Sequence, residues 1–164
     1  MLIRVATLED CESIARIYNQ AIEERTSTFE TRLRTAKDIE AWFDGLHPVI
    51  VAELDGNVVS YGATFTYRNR DCYKGIAEFS VYVDRNHRRR GIGQRTLAGL
   101  IEASEKAGFW KLVSRIFPEN APVRALNKLM GVREVGVYEK HGRLDGVWRD
   151  VIIVERLIPA NIVE

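Results

Sequence analysis

Cysteine is scarce in this chain: only Cys11 and Cys72 occur among 164 residues, and they form no Cys-x-x-Cys pair. Together with three scattered histidines (His47, His87, His141), that scarcity excludes a disulfide framework and a His/Cys zinc site. Long hydrophobic runs are missing too. No segment approaches the roughly 18–20 apolar residues that cross a bilayer. The opening MLIRVATLEDCE acquires charge at once and has no apolar signal core. These absences predict a cytoplasmic protein. Charge of one sign is also lacking, with 24 basic residues against 23 acidic. Nucleic-acid binders usually carry a basic excess, so any basic cluster here acts locally. There is no linker, repeat or low-complexity tract. The length predicts one domain, residues 1–164, able to bury a core without staples.

What is present reads as alternating strands and helices. A strand is predicted over Leu2–Val5. Thr7 or Asp10 then caps a helix whose apolar residues Leu8, Cys11, Ile14, Ile17, Ala21 and Ile22 recur every three or four positions. Residues 24–34 form a polar loop with one aromatic, Phe29, and a second helix is expected over 35–44 with Trp42 and Phe43 inside it. Asp55-Gly56 separates two hydrophobic runs and marks a hairpin. Strands follow at 76–83, 111–116, 133–140 and 147–157, with helices at 94–107 and 120–130. Hairpins first and a strand–helix–strand crossover later imply an α/β fold built on a mixed sheet.

The segment Arg-Asn-His-Arg-Arg-Arg-Gly-Ile-Gly, residues 85–93, lies between the strand Glu78–Val83 and the helix from Gln94. A helix N-terminus offers unpaired N–H groups and partial positive charge, which suits a phosphate. Gly91 and Gly93 lack Cβ, so the backbone can approach a ligand and adopt positive φ. The Walker pattern and the dinucleotide fingerprint are both absent. What remains is Arg-x-x-Gly-x-Gly, at Arg88, Gly91 and Gly93.

That pattern resembles the acyl-coenzyme A pyrophosphate loop of the GNAT N-acetyltransferase superfamily, and the resemblance runs from Ile3 to Ile158. More narrowly, the chain is similar to the phosphinothricin/arsinothricin acetyltransferase branch. The carriers are Ile17-Tyr18-Asn19, Ser27-Thr28-Phe29-Glu30, the Arg70/Tyr73/Glu78 spacing followed by Ser80-Val81-Tyr82-Val83, and Gly146-x-Trp148-x-Asp150-Val151. The resemblance implies a GNAT-like fold, with antiparallel N-terminal strands and a parallel crossover pair. It implies acetyl-CoA as cosubstrate, no metal, and a homodimer acting on a small toxic amino acid such as phosphinothricin, methionine sulfoximine or arsinothricin.

The resemblance also implies roles. Glu78 is the expected general base, because an ammonium has no lone pair and must lose a proton. Val81 and Val83 are expected to meet the pantetheine through their backbone, with an N–H near Val81 polarising the thioester carbonyl. Arg88, Arg89, Arg90, Gly91, Ile92 and Gly93 are expected on the pyrophosphate, and Asn120 and Asn127 elsewhere along the cofactor. Val123 stands where the superfamily usually has serine. Asn127 stands where many members hold a tyrosine proton donor, so no general acid is assigned. Arg68, Arg70, Tyr73 and Phe29 are expected at the substrate. His141 reads as a surface loop residue and Cys72 as a bystander. Alternatives keep the fold with a protein N-terminus, polyamine or aminoglycoside as acceptor, or keep only acyl-CoA binding as a sensor.

Overall fold

Three- and four-residue spacing of Ile14, Ile17, Ala21 and Ile22 produces the first long helix, and the continuous apolar run Val49–Ala52 forms the strand it packs on, buried on both faces. The computed structural model describes residues 1–164. In chain order the elements are β1 (Leu2–Val5), α1 (Cys11–Glu24), α2 (Ala36–Glu40), β2 (Val49–Leu54), β3 (Asn57–Thr66) and β4 (Ile76–Val83). Then come α3 (Ile92–Lys106), β5 (Lys111–Ile116), α4 (Ala121–Leu129), β6 (Arg133–Leu144) and β7 (Val147–Leu157). Thr7 and Asp10 both act before α1, as the two ends of a capping box around a short 3-10 turn.

The seven strands form one sheet in the order β1-β2-β3-β4-β5-β7-β6. Neighbours are antiparallel except β4 and β5, which run parallel and are joined by α3. The mixed α/β sheet predicted above is the one observed. Alternate residues of β2 serve opposite faces. Val49 and Val51 join Ile14, Ile17, Ile39 and Tyr61 under α1 and α2. Ile50 joins Phe79, Leu97, Leu100, Leu112 and Val154 under α3. Each fully buried side chain of this kind contributes roughly 1.5–3 kcal/mol. No helix is long and apolar enough to cross a membrane.

Three boundaries differ from expectation by two residues or more, each for a local reason. α2 ends at Glu40, so Trp42 and Phe43 lie beyond it. The Asp44 carboxylate takes the Leu46 and His47 N–H groups and turns the chain there. α3 starts at Ile92, two residues early, because Gly91 takes a left-handed conformation as its N-cap. β6 runs to Leu144, because Asp145 and Gly146 (φ +49° and +80°) repeat the turn geometry of Asp55 and Gly56 (φ +50° and +80°). His141 therefore lies in a strand, not a loop.

Candidate functional site

The site begins where the sheet parts. β4 and β5 pair only at Ile76–Lys111, Ala77–Leu112 and Glu78–Val113. Beyond Glu78 the strands diverge, and the Ser114 hydroxyl donates to the Phe79 carbonyl at 2.9 Å across the start of the gap. On the other side of β4, the Asp84 N–H donates to Val59 and the Tyr82 carbonyl accepts from Ser60. Alternation then turns the N–H and C=O groups of Val81 and Val83 toward the open edge. Backbone of this kind is available to an extended ligand.

The turn after Val83 is organised by Asp84, which is buried. Its carboxylate accepts from Arg16, from the Gln20 amide (3.1 Å) and from Asn86 N–H (2.9 Å), and faces His87 Nδ1 at 3.2 Å. Burial alone would raise this carboxyl, but those four partners together hold it well below the usual range. A depressed carboxyl stabilises the fold fully above its unfolded pKa of about 3.9 and loses that contribution as pH falls. We therefore expect Asp84→Asn to cost about 2 kcal/mol at pH 7 and to flatten the loss of urea stability on acidification. Parallel acid profiles for the two proteins would remove Asp84 from that role.

Arg88 is committed within the protein: it forms a two-pronged pair with Glu24 (2.8 and 3.0 Å) and donates to the Val83 carbonyl (3.3 Å). Arg89 and Arg90 are exposed and form no ion pair with the chain. Arg89 itself has positive φ, +62°, beside Gly91 at +73°. The two glycines differ. A Cβ on Gly91 would point into open space, whereas one on Gly93 would rest on Leu126 and Val83 at ordinary contact distance. Only Gly91 has the positive φ expected of both. The open space over Gly91 faces the first turn of α3, whose leading amides have no intrahelical acceptor. An anionic diphosphate fits such a cradle.

A cavity of about 360 Å³ opens beside Glu78. Phe29, Glu30, Arg115, Phe117 and His141 line it, with Tyr18 and Tyr82 on the wall. The Glu78 carboxylate lies 3.2 Å from Arg115 Nη2. Phe29 packs edge-on against Phe117 at 4.9 Å and sits directly on Gly142, where any Cβ would come within 2.8 Å of the ring. The 24–34 loop is thus pinned to the β6 bulge. Glu30 is paired with Arg34 at 2.9 Å. Burial pushes the Tyr18 and Tyr82 hydroxyls up from the usual tyrosine range, which makes them reluctant proton donors.

Other expected residues lie elsewhere. Arg68, Arg70 and Tyr73 do not line the cavity. They cluster on the β3–β4 connection, the arginines exposed and Tyr73 half-buried, with each guanidinium over a ring, Arg68 on Tyr67 (5.3 Å) and Arg70 on Tyr73 (5.7 Å). Asn120 caps α4 by accepting from Val123 N–H at 3.4 Å. Asn127 is buried in α4. Two wider grooves, about 560 and 680 Å³, run along α1 and behind the Asp55–Gly56 turn, and neither contains Glu78. Sequence reading missed Arg115 and Asp84. No motif marks either one; both matter through register and burial.

The profile of the Acetyltransferase (GNAT) family matches residues 14–132. The chain belongs to this family. Phosphinothricin N-acetyltransferase from Streptomyces viridochromogenes is 31% identical, over 91% of this chain and 83% of that one. A ribosomal-protein-alanine N-acetyltransferase from Brucella melitensis is 31% identical with a TM-score of 0.91, covering 96% of this chain and all (100%) of that one. A GNAT phosphinothricin acetyltransferase from Sinorhizobium meliloti, solved with acetyl-CoA, is 25% identical with a TM-score of 0.88, covering 96% of this chain and 88% of that one. This GNAT protein is an acetyl-CoA-dependent N-acetyltransferase of the phosphinothricin type. Acetyl-CoA is its cosubstrate, and the open edge of β4 and the Gly91 turn fit the pantetheine and diphosphate of that molecule.

Proposed function

We propose that the enzyme acetylates the amino group of a small, toxic, glutamate-like amino acid by direct attack, with Glu78 as general base. The single observation that carries this reading is the position of Glu78: it is the last β4 residue paired with β5, next to the open edge and inside the 360 Å³ cavity. Glu78 first takes one proton from the ammonium; then, as the N–C bond forms and the C–S bond breaks, the second N–H proton passes through solvent to the departing sulfur and coenzyme A leaves as the free thiol. The Val81 N–H polarises the thioester carbonyl. Val83 continues the backbone contact, and Arg89, Arg90, Gly91, Ile92 and Gly93 surround the diphosphate, while the Arg88 side chain stays on Glu24 and braces the turn. Asn120 and Asn127 flank the cofactor from α4. Phe29 covers the acceptor; Arg68, Arg70 and Tyr73 lie outside the cavity on the β3–β4 connection and take no part in this reading.

The same reading makes the enzyme a cytoplasmic homodimer. Its support is the β6–β7 ribbon, an edge of the sheet that exposes Val135, Val137, Tyr138, Val147 and Trp148.

The Brucella relative's name favours a second acceptor, a protein N-terminal alanine. One assay separates the readings. Thiol release from acetyl-CoA is followed with L-phosphinothricin, L-methionine sulfoximine, spermidine, an aminoglycoside and an alanine-initiated peptide. We expect amine-dependent release with the first two. Release only with the peptide overturns the amino-acid reading, and acetyl-CoA binding without turnover on any amine leaves a sensor.

A further inference from the structure

Arg115 is the one cationic side chain, histidine aside, that lines the cavity, and no role for it follows from the motifs. It projects from β5 two positions beyond Val113, which is the register partner of Glu78. Period-two alternation therefore puts Arg115 and Glu78 on one face, and their charged ends lie 3.2 Å apart. Glu30, the other carboxylate in the cavity, is already held by Arg34. Glu78 and Arg115 have only each other.

We infer that Glu78 and Arg115 form a cradle for the two charged groups on the α-carbon of a free amino acid, the amine on Glu78 and the carboxylate on Arg115. The inference rests on the amino-acid reading above and names the group that the site recognises. Covalent geometry holds an amine nitrogen and a carboxylate oxygen on one carbon roughly 3 Å apart. That spacing matches the 3.2 Å between the two charged ends, so an acceptor lying alongside the pair reaches both at once. Both are partly solvated, with side-chain exposures of 52% for Arg115 and 32% for Glu78. An ion pair this exposed contributes little, so a zwitterion can replace it without loss. On entry, the acceptor's carboxylate takes over the guanidinium in the two-pronged geometry arginine favours. Glu78 is then left facing the amine whose proton it removes. The resting pair keeps the base occupied until an acceptor with both groups arrives.

The cradle also excludes. A peptide N-terminus has no carboxylate beside its amine, and a polyamine brings a second cation toward Arg115. Each leaves the guanidinium without its anion. The side chain of the acceptor is free to lie under Phe29 and Phe117.

The test compares L-phosphinothricin with 3-aminopropyl(methyl)phosphinic acid, which keeps the amine and the phosphinate and lacks only the α-carboxylate. kcat and KM are measured for both amines in the unaltered enzyme and in Arg115→Met, Arg115→Lys and Arg70→Ala, with the acetyl-CoA Kd of each protein by calorimetry. The unaltered enzyme should prefer L-phosphinothricin by roughly 10–100-fold in kcat/KM. Arg115→Met should abolish that preference through KM for the amino acid, at unchanged acetyl-CoA Kd. Arg115→Lys should restore part of it, and Arg70→Ala should keep it. A preference that survives in Arg115→Met, or disappears in Arg70→Ala, overturns the cradle and leaves the transferase reading intact. If the unaltered enzyme binds acetyl-CoA and acetylates neither amine, the amino-acid reading falls and the cradle with it. Should Arg115→Met lose acetyl-CoA binding, Arg115→Lys decides: a preference equal to that of the unaltered enzyme overturns the two-pronged contact, and a reduced one supports it.

Discussion

Glu78→Gln should bind acetyl-CoA normally and lose roughly 10²–10⁴-fold in kcat toward its amine acceptor. The substitution keeps the shape of the side chain and an oxygen for Arg115. Glu78 is only partly buried, so the fold does not depend on its charge. What disappears is the proton acceptor. An α-amine with a pKa of about 8 or higher is mostly ammonium at neutral pH and cannot attack. Without a base, the reaction draws on the small neutral fraction. Raising the pH enlarges that fraction, so the variant should recover part of its rate in alkaline buffer. Steady-state thiol release across pH, with calorimetry for acetyl-CoA, checks both halves. An undiminished kcat would remove Glu78 from the chemistry.

The second large effect is expected at Gly91. Gly91→Val should weaken acetyl-CoA binding by roughly 10²–10³-fold, and Arg90→Ala by less than about tenfold. At the N-cap of α3, Gly91 has φ of +73°. A β-branched residue strains there, at about 1–2 kcal/mol. Its side chain also projects into the space over the turn, where the free protein has nothing within 4 Å. A diphosphate that reaches the helix amides must occupy that space. Each charge-assisted hydrogen bond lost costs about 1.5–3 kcal/mol. Arg90, by contrast, is exposed and unpaired, and water screens its charge. Titration calorimetry ranks the two variants directly. The reverse order would make side-chain charge, not backbone approach, the basis of binding.

The fold was largely legible because its signals are local. Asp55-Gly56 announces a hairpin, Gly108 ends α3 with φ of +90°, and the apolar spacing in α1 needs no partner to be read. β4, β5 and β7 begin and end where predicted. The errors lie where a side chain far along, or a special backbone angle, overrides propensity. Asp44 cuts α2 short, and the second Asp-Gly turn extends β6 to Leu144 and carries His141 to the cavity rim. The site was legible in part. Its glycine turn and its strand carboxylate carry a recognisable spacing. Arg88, read as a ligand group, has its guanidinium engaged by Glu24 in the free protein.

The amino-acid order alone determined the elements, the turn with an αL glycine ahead of a helix, and a carboxylate three residues into the strand before it. These depend on neighbours within a few positions. Only the tertiary structure decided that β4 and β5 separate after Glu78, and that Asp84 gathers Arg16 and Gln20 from α1. It alone set Arg115 opposite Glu78, and it left Arg68 and Arg70 on a separate surface. The pairings among them join residues 35 to 68 positions apart. Pairing over such separations is fixed by strand register and by the burial of two hydrophobic clusters, quantities that no short stretch of chain contains.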